Sequence, residues 1–148
     1  EAETSTTDTT QTAPVDQGNA IATDGAFTAA DLETNSCLMK RVVYFDFDQD
    51  TLKPEYQAIV ACHSKYLRDQ ASAKMSLEGN ADERGTREYN LALGERRGNA
   101  VLSAFVANSA PASRITVVSY GEERPLCLDS DESCWAKNRR VEIVYTAK

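Results

Sequence analysis

From Arg41 to Tyr145 the apolar positions keep switching between two spacings, and the switches outline the fold. "VVYFDF" (42–47) is a β-branched and aromatic run, which favours a strand. Pro54 and Glu55 then open a helix, with Pro at an early helical position. Tyr56, Ile59, Val60, His63 and Leu67 recur at helical spacing through "EYQAIVACHSKYL". In "AKMSLEG", Ala73, Met75 and Leu77 alternate with Lys74, Ser76 and Glu78, the period of a strand. The pattern predicts a second helix from about Arg87 to Ala107 and a third strand over "RITVVSYG", closed by Gly121. "RRVEIVY" alternates again and predicts a fourth strand. Between the last two lies "GEERPLCLDSDESCWAKN", a long loop with room for one helical turn.

The order strand, helix, strand, helix, strand, loop, strand defines an α+β domain. Its helical crossovers favour right-handed connections. The expected architecture is a two-layer sandwich, one four-stranded sheet of mixed direction with helices packed on one face. Residues 1–36 are rich in Thr, Ala, Asp and Gln and carry few large apolar side chains. Such a segment buries too little surface to offset its ordering entropy. It is expected to be a flexible tether, with "AFTAADLE" forming at most a passing helical turn. The folded domain is expected over 37–148.

Composition changes this picture in two ways. Net charge is −7 and the pI is near 4.7, which argues against a nucleic-acid partner. No apolar run reaches membrane-spanning length, and no leader is visible at the start, so the chain reads as a mature or trimmed form. Its four cysteines include no C-x-x-C pair, which weakens zinc and thioredoxin readings. Cys127 and Cys134 flank the polar segment "LDSDES". A disulfide there would close a short loop and imply an oxidising compartment. Cys37 and Cys62 would then form a second pair, tying the end of the tether to the first helix. The alternative is four free thiols, buried in a cytosolic protein.

The second helix carries an anomaly. At ~100° per residue, Tyr89, Leu93, Ala100, Val101 and Ala104 fall on one stripe, which should face the sheet. Arg97 lies near the middle of that stripe, whereas Arg96 lies roughly 80° away, toward solvent. A buried guanidinium needs an anion and satisfied hydrogen bonds. Asp82, in the turn before the helix, is the nearest candidate, and Asn90 shares the stripe. One reading is a plain Asp82–Arg97 bridge tying turn to helix. The other is a cleft that offers a carboxylate and a guanidinium to a zwitterionic amino-acid head group.

Other chemistry is weaker. Asp46, Asp48 and Asp50 resemble the start of a calcium loop, but Thr51 and Gln57 stand where that loop needs Gly and Glu. These acids read as a solvated strand end or as part of the Asp82 cleft. His63, the only histidine, lies on the apolar side of the first helix and reads as a core residue. Glu78 and Asp82 make a thin case for a glycosidase pair. No nucleophile elbow and no phosphate-cradling glycine loop is present. Asn138, Arg139 and Arg140 read as an exposed basic strand end that balances nearby acids.

"EGNADERGTREYN", "LGERRGNAV", "VSYGEERP" and "AKNRRVEI", in this order and at these separations, closely resemble the OmpA-like domain family, in its lipoprotein branch that associates with peptidoglycan. The resemblance runs from about Val42 to Tyr145. It implies a non-enzymatic periplasmic domain that binds peptidoglycan non-covalently and needs no cofactor or metal. It also implies a lipid-anchored place on the outer membrane and partnership with the Tol system, including TolB. By the same resemblance, Asp82 and Arg97 hold the diaminopimelate of the stem peptide. Phe47, Asp48, Asn80, Ala81, Thr86 and Asn90 are expected to line the same pocket. Three features depart from the pattern: Asn80 stands where many relatives carry His, Gly98 where Ala is usual, and no lipid-bearing cysteine occupies the first position. The internal cysteines are also unusual for that branch, although other OmpA-like domains carry a disulfide in the late loop. A periplasmic hydrolase of the same polymer and a protein-interaction module are the competing readings.

Overall fold

The computed structural model describes residues 25–148. Four strands form one mixed sheet: β1 (Val42–Tyr44), β2 (Lys74–Asn80), β3 (Ile115–Gly121) and β4 (Arg140–Ala147), in the order β1-β4-β2-β3. β2 and β3 run parallel, joined by the long helix α3 (Arg87–Ala107). β4 lies antiparallel between β1 and β2. Helix α2 (Gln57–Asp69) follows a single 3-10 turn at Pro54–Tyr56, so the proline does open the helix. The core is made by Leu77, Val101, Phe105, Val43, Val60, Tyr66 and their neighbours between sheet and helices. The predicted order and the two-layer α+β architecture are those observed.

Three local expectations change. Strand β1 is shorter than the apolar run: it ends at Tyr44, and Asp48 further on takes a left-handed backbone conformation, φ 58. The late loop holds a capped helix, α4 (Glu132–Asn138), in which Asp131 Oδ1 accepts the Cys134 N–H at 2.9 Å. The packed domain begins before residue 37. Phe27 and Leu32 are buried in the core, Leu32 on the short helix α1 (Asp31–Thr34). The Phe27 N–H donates to Asp69 Oδ2 at 2.9 Å, and Lys65 Nζ donates to the Gly25 carbonyl at 2.9 Å. Composition missed this because two or three apolar anchors suffice once α2 offers them a groove. The part of the tether expectation that covers 1–24 lies outside the described residues. Leu32→Ala should therefore cost about 2–5 kcal/mol of stability. A denaturant midpoint equal to wild type would return the segment to the tether.

Both disulfides are present. Cys37 and Cys62 have Cα atoms 6.4 Å apart, and Cys127 and Cys134 5.3 Å. In the chain-entropy view each contributes on the order of 2–4 kcal/mol.

His63 is a core residue, fully buried. Its Nε2–H donates to the Lys40 carbonyl at 2.8 Å, and Nδ1 accepts from the Tyr145 hydroxyl at 2.6 Å. Burial, helped by the charge of Arg41, outweighs the Lys40 hydrogen bond and lowers its pKa to about 4. The unfolded chain therefore takes up this proton first as pH falls. Stability should be complete above about pH 6.5 and fall by about 3 kcal/mol as pH drops toward 4. Denaturation at several pH values should show that slope in wild type and its loss in His63→Phe.

Candidate functional site

The backbone of α3 presses on β2 where Gly79 and Gly94 meet, and this close approach fixes where the helix presents its polar side chains. The buried stripe of α3 comprises Asn90, Leu93, Gly94, Arg97, Gly98, Val101 and Phe105. Arg97 is 0% exposed, whereas Arg96 is exposed and paired with Asp50 at 2.9 Å. The rotational argument separated the two arginines correctly. It misplaced Tyr89, which is 42% exposed because it lies roughly 80–120° around the helix from the fully buried Arg97 and Val101.

Arg97 does not bridge Asp82. Its guanidinium donates to three backbone carbonyls: Nε to Gln49 at 2.7 Å, Nη1 to Asn80 at 2.9 Å and Nη2 to Asp46 at 3.1 Å. Nearby carboxylates have other partners. Asp46 pairs with Lys53, Asp50 with Arg96, and Asp48 accepts from the Tyr89 hydroxyl. Among the described residues Arg97 thus has no contacting counter-ion. Two of its five N–H groups also find no protein acceptor there. Burial, with the repulsion of Arg139, lowers its pKa to about 10, so it stays charged at neutral pH.

Asp82 is 5% exposed and held by a different arginine. Oδ1 accepts from the Arg84 backbone N–H at 2.9 Å and from its Nε at 3.2 Å, and Oδ2 accepts from Nη2 at 2.8 Å. Arg139 Nη1 stands 3.6 Å from Oδ2. Burial pushes the Asp82 carboxyl up, but the Arg84 hydrogen bonds and the two guanidinium charges outweigh it and hold it below the ordinary carboxylate range. The Arg84 guanidinium is itself sandwiched between Phe47 and Trp135, 3.9 Å from each ring centre.

A cleft of about 280 Å³ opens between these groups. Phe47, Asp48, Ala81, Asp82, Asn90 and Arg97 line it as expected, joined by Arg84, Gly85, Tyr89 and Leu93. Gly85 sits at φ 99, which lets the turn fold back over Asn90. Asn90 spends its amide N–H groups on the Arg84 carbonyl (3.0 Å) and Glu122 (2.6 Å).

Two expected residues do not line the cleft. The Asn80 side chain donates to the Glu78 and Arg140 carbonyls, because β2 alternation points it away from α3; its backbone oxygen is what reaches Arg97. Thr86 caps α3, its Oγ1 accepting the Tyr89 N–H at 3.0 Å. Glu78 stands across from Glu142 on β4, apart from Asp82. Asn138, Arg139 and Arg140 are buried, not an exposed basic end. Arg139 donates to the Phe45 carbonyl at 2.8 Å and pairs with Glu132, and Arg140 pairs with Glu142. Their burial follows from β4 lying between β1 and β2, for which the sequence carries no signal. No group of residues suited to hold a metal ion occurs among the described residues.

Residues 44–139 match the OmpA family. That span is most of the described chain, and the protein belongs to the OmpA family. Several similar proteins are of one kind. The peptidoglycan-associated lipoprotein of Haemophilus influenzae is 43% identical over 129 residues, covering 86% of this chain and 82% of that protein. The crystal structure of the peptidoglycan-associated lipoprotein from Burkholderia pseudomallei is 44% identical and has a TM-score of 0.76, covering 78% of this chain and 98% of that one. The C-terminal domain of Helicobacter pylori MotB has a TM-score of 0.67 at 15% identity over 74% of this chain and 85% of that one, which shows a common fold.

Proposed function

We propose that this domain is a non-catalytic anchor that binds peptidoglycan non-covalently, taking the diaminopimelate of the stem peptide into the Asp82–Arg97 cleft. One observation carries the reading: Arg97 is a fully buried guanidinium with no contacting counter-ion among the described residues, and it lines a cleft that also holds Asp82 and Asp48. A buried charge of this kind is costly unless something completes it. A ligand carboxylate would take the two spare N–H groups in a fork, and its ammonium would face Asp82 and Asp48. The names of the similar lipoproteins support peptidoglycan as the polymer bound.

The same kinship supports a place at the periplasmic face of the outer membrane, held by an N-terminal lipid, and partnership with TolB and other Tol proteins. Two disulfides suit an oxidising compartment. No helix among the described residues is long and apolar enough to cross a membrane. Calorimetry with muropeptides that contain or lack diaminopimelate tests the proposal. Binding of the first and not the second is expected. Equal affinity for both would overturn the ligand assignment, and turnover of purified peptidoglycan would favour a hydrolase.

A further inference from the structure

The two guanidiniums on Asp82 are both held from behind by one small element. Trp135 of α4 covers one face of Arg84, and its Nε1 donates to Glu83 Oε2 at 3.0 Å. Ser130 Oγ reaches the same Glu83 oxygen at 2.7 Å. Glu132 of α4 accepts from both terminal nitrogens of Arg139, at 3.2 and 2.8 Å. α4 in turn is fastened at both ends. The Cys127–Cys134 disulfide ties its first turn to the preceding loop. Asn138, its last residue, accepts from the N–H groups of Leu126 and Cys127 and donates to the Cys127 carbonyl. Asp82 is buried, but the Arg84 side chain that grips it is about a third exposed and needs further contacts to keep one direction. Stacking a planar guanidinium between two rings fixes its direction, and so fixes the carboxylate it grips.

We propose that Trp135 and Glu132 are positioning residues for the cleft, and that the Cys127–Cys134 disulfide sets ligand affinity by holding α4 against the turn that carries Asp82. The proposal rests on the reading of that cleft as the ligand site. Without the clasp, Arg84 and Arg139 are free to leave Asp82 or to compete for the ligand's carboxylate. The ordering lost must then be supplied on binding.

The test compares wild type with Trp135→Ala, Trp135→Phe, Glu132→Gln and the double change Cys127→Ser, Cys134→Ser. Two quantities are read on each folded protein. One is affinity for a diaminopimelate muropeptide; the other is the NMR titration midpoint of the Asp82 carboxyl without ligand. Trp135→Ala and the double serine variant should bind about two- to thirty-fold more weakly, the range a lost stacking contact carries. Their Asp82 midpoints should rise toward the ordinary carboxylate value. Glu132→Gln should also weaken binding, while the loss of its negative charge beside Asp82 opposes the rise of that midpoint. Trp135→Phe keeps the face over Arg84 and should retain most of the affinity, which a merely structural loss would not predict. Unchanged affinity and an unchanged Asp82 midpoint in Trp135→Ala and the double variant would overturn the proposal. Should wild type itself fail to bind the muropeptide, the cell-wall reading falls. The Asp82 midpoint then decides positioning alone: a rise supports it and no change overturns it.

Discussion

Arg97→Ala is expected to remove most of the binding of a diaminopimelate muropeptide, a loss on the order of 2–5 kcal/mol. The reasoning starts from what the side chain does unliganded. It spans from α3 to three carbonyls on two other segments, those of Gln49, Asp46 and Asn80. It therefore both shapes the cleft and supplies its only fully buried cation among the described residues that line it. Removing it leaves those carbonyls short of a donor, about 1–3 kcal/mol for each that water cannot reach. It also relieves a desolvated charge, so the net change in stability is smaller than the sum. Arg97→Lys separates the two effects. An ammonium keeps the charge but cannot serve three carbonyls and a two-pronged carboxylate together, so it should fold and still bind poorly. Arg96→Ala is the control. Its exposed pair with Asp50 has a stability worth of about 0–1 kcal/mol, and binding should hardly change. Calorimetry on the folded variants decides the matter. Wild-type affinity in Arg97→Lys would remove Arg97 from the site, and a larger loss in Arg96→Ala would mean the ligand binds on the other face of the helix.

What the sequence showed and what it hid divide along physical lines. Periodicity located α3, expected from about Arg87 to Ala107, and put Arg97 inside and Arg96 outside, because a 3.6-residue repeat over a long helix leaves little freedom. It could not show which carboxylate faced which arginine. Spacing made Asp82 and Arg97 look like partners, yet Arg84, two residues from Asp82, reaches it first. Arg139 arrives from a strand far along the chain. Contacts of that kind depend on sheet order, and β4 enters the sheet between β1 and β2, which no local pattern records. The same holds for Phe27 and Leu32, whose burial depends on a groove made elsewhere. Of the acids after β1, for which the sequence left a solvated strand end and a cleft lining both open, only Asp48 lines the cleft. Their more consequential feature is backbone: the Asp46 and Gln49 carbonyls, not their side chains, hold Arg97.

Gly79→Ala should damage the fold more than any other single methyl group considered, and should damage the cleft with it. A Cβ at Gly79 would lie 1.9 Å from the Gly94 oxygen and 2.6 Å from its carbonyl carbon. Both are helix backbone, so no side chain can swing aside. The methyl must push α3 away from β2, and α3 carries Asn90, Leu93 and Arg97 into the cleft. Overpacking usually costs about 1–3 kcal/mol, and a clash against backbone belongs at or beyond the upper end. Binding should fall as well, since the Arg97 guanidinium would leave carbonyls that lie on other segments. Gly98→Ala is the matched comparison on the same helix. Its Cβ would meet the Val117 Cγ1 methyl at 2.6 Å, the end of a side chain that can shift. It also gains about 0.5–1 kcal/mol of helix propensity, which offsets part of that crowding. Gly98 is thus the glycine the fold can spare, and Gly79 is the one it cannot. Denaturant midpoints of the two variants, with muropeptide binding measured on each, test the contrast. If Gly79→Ala unfolds within about 1 kcal/mol of Gly98→Ala, the contact of α3 with β2 is looser than a backbone-to-backbone approach.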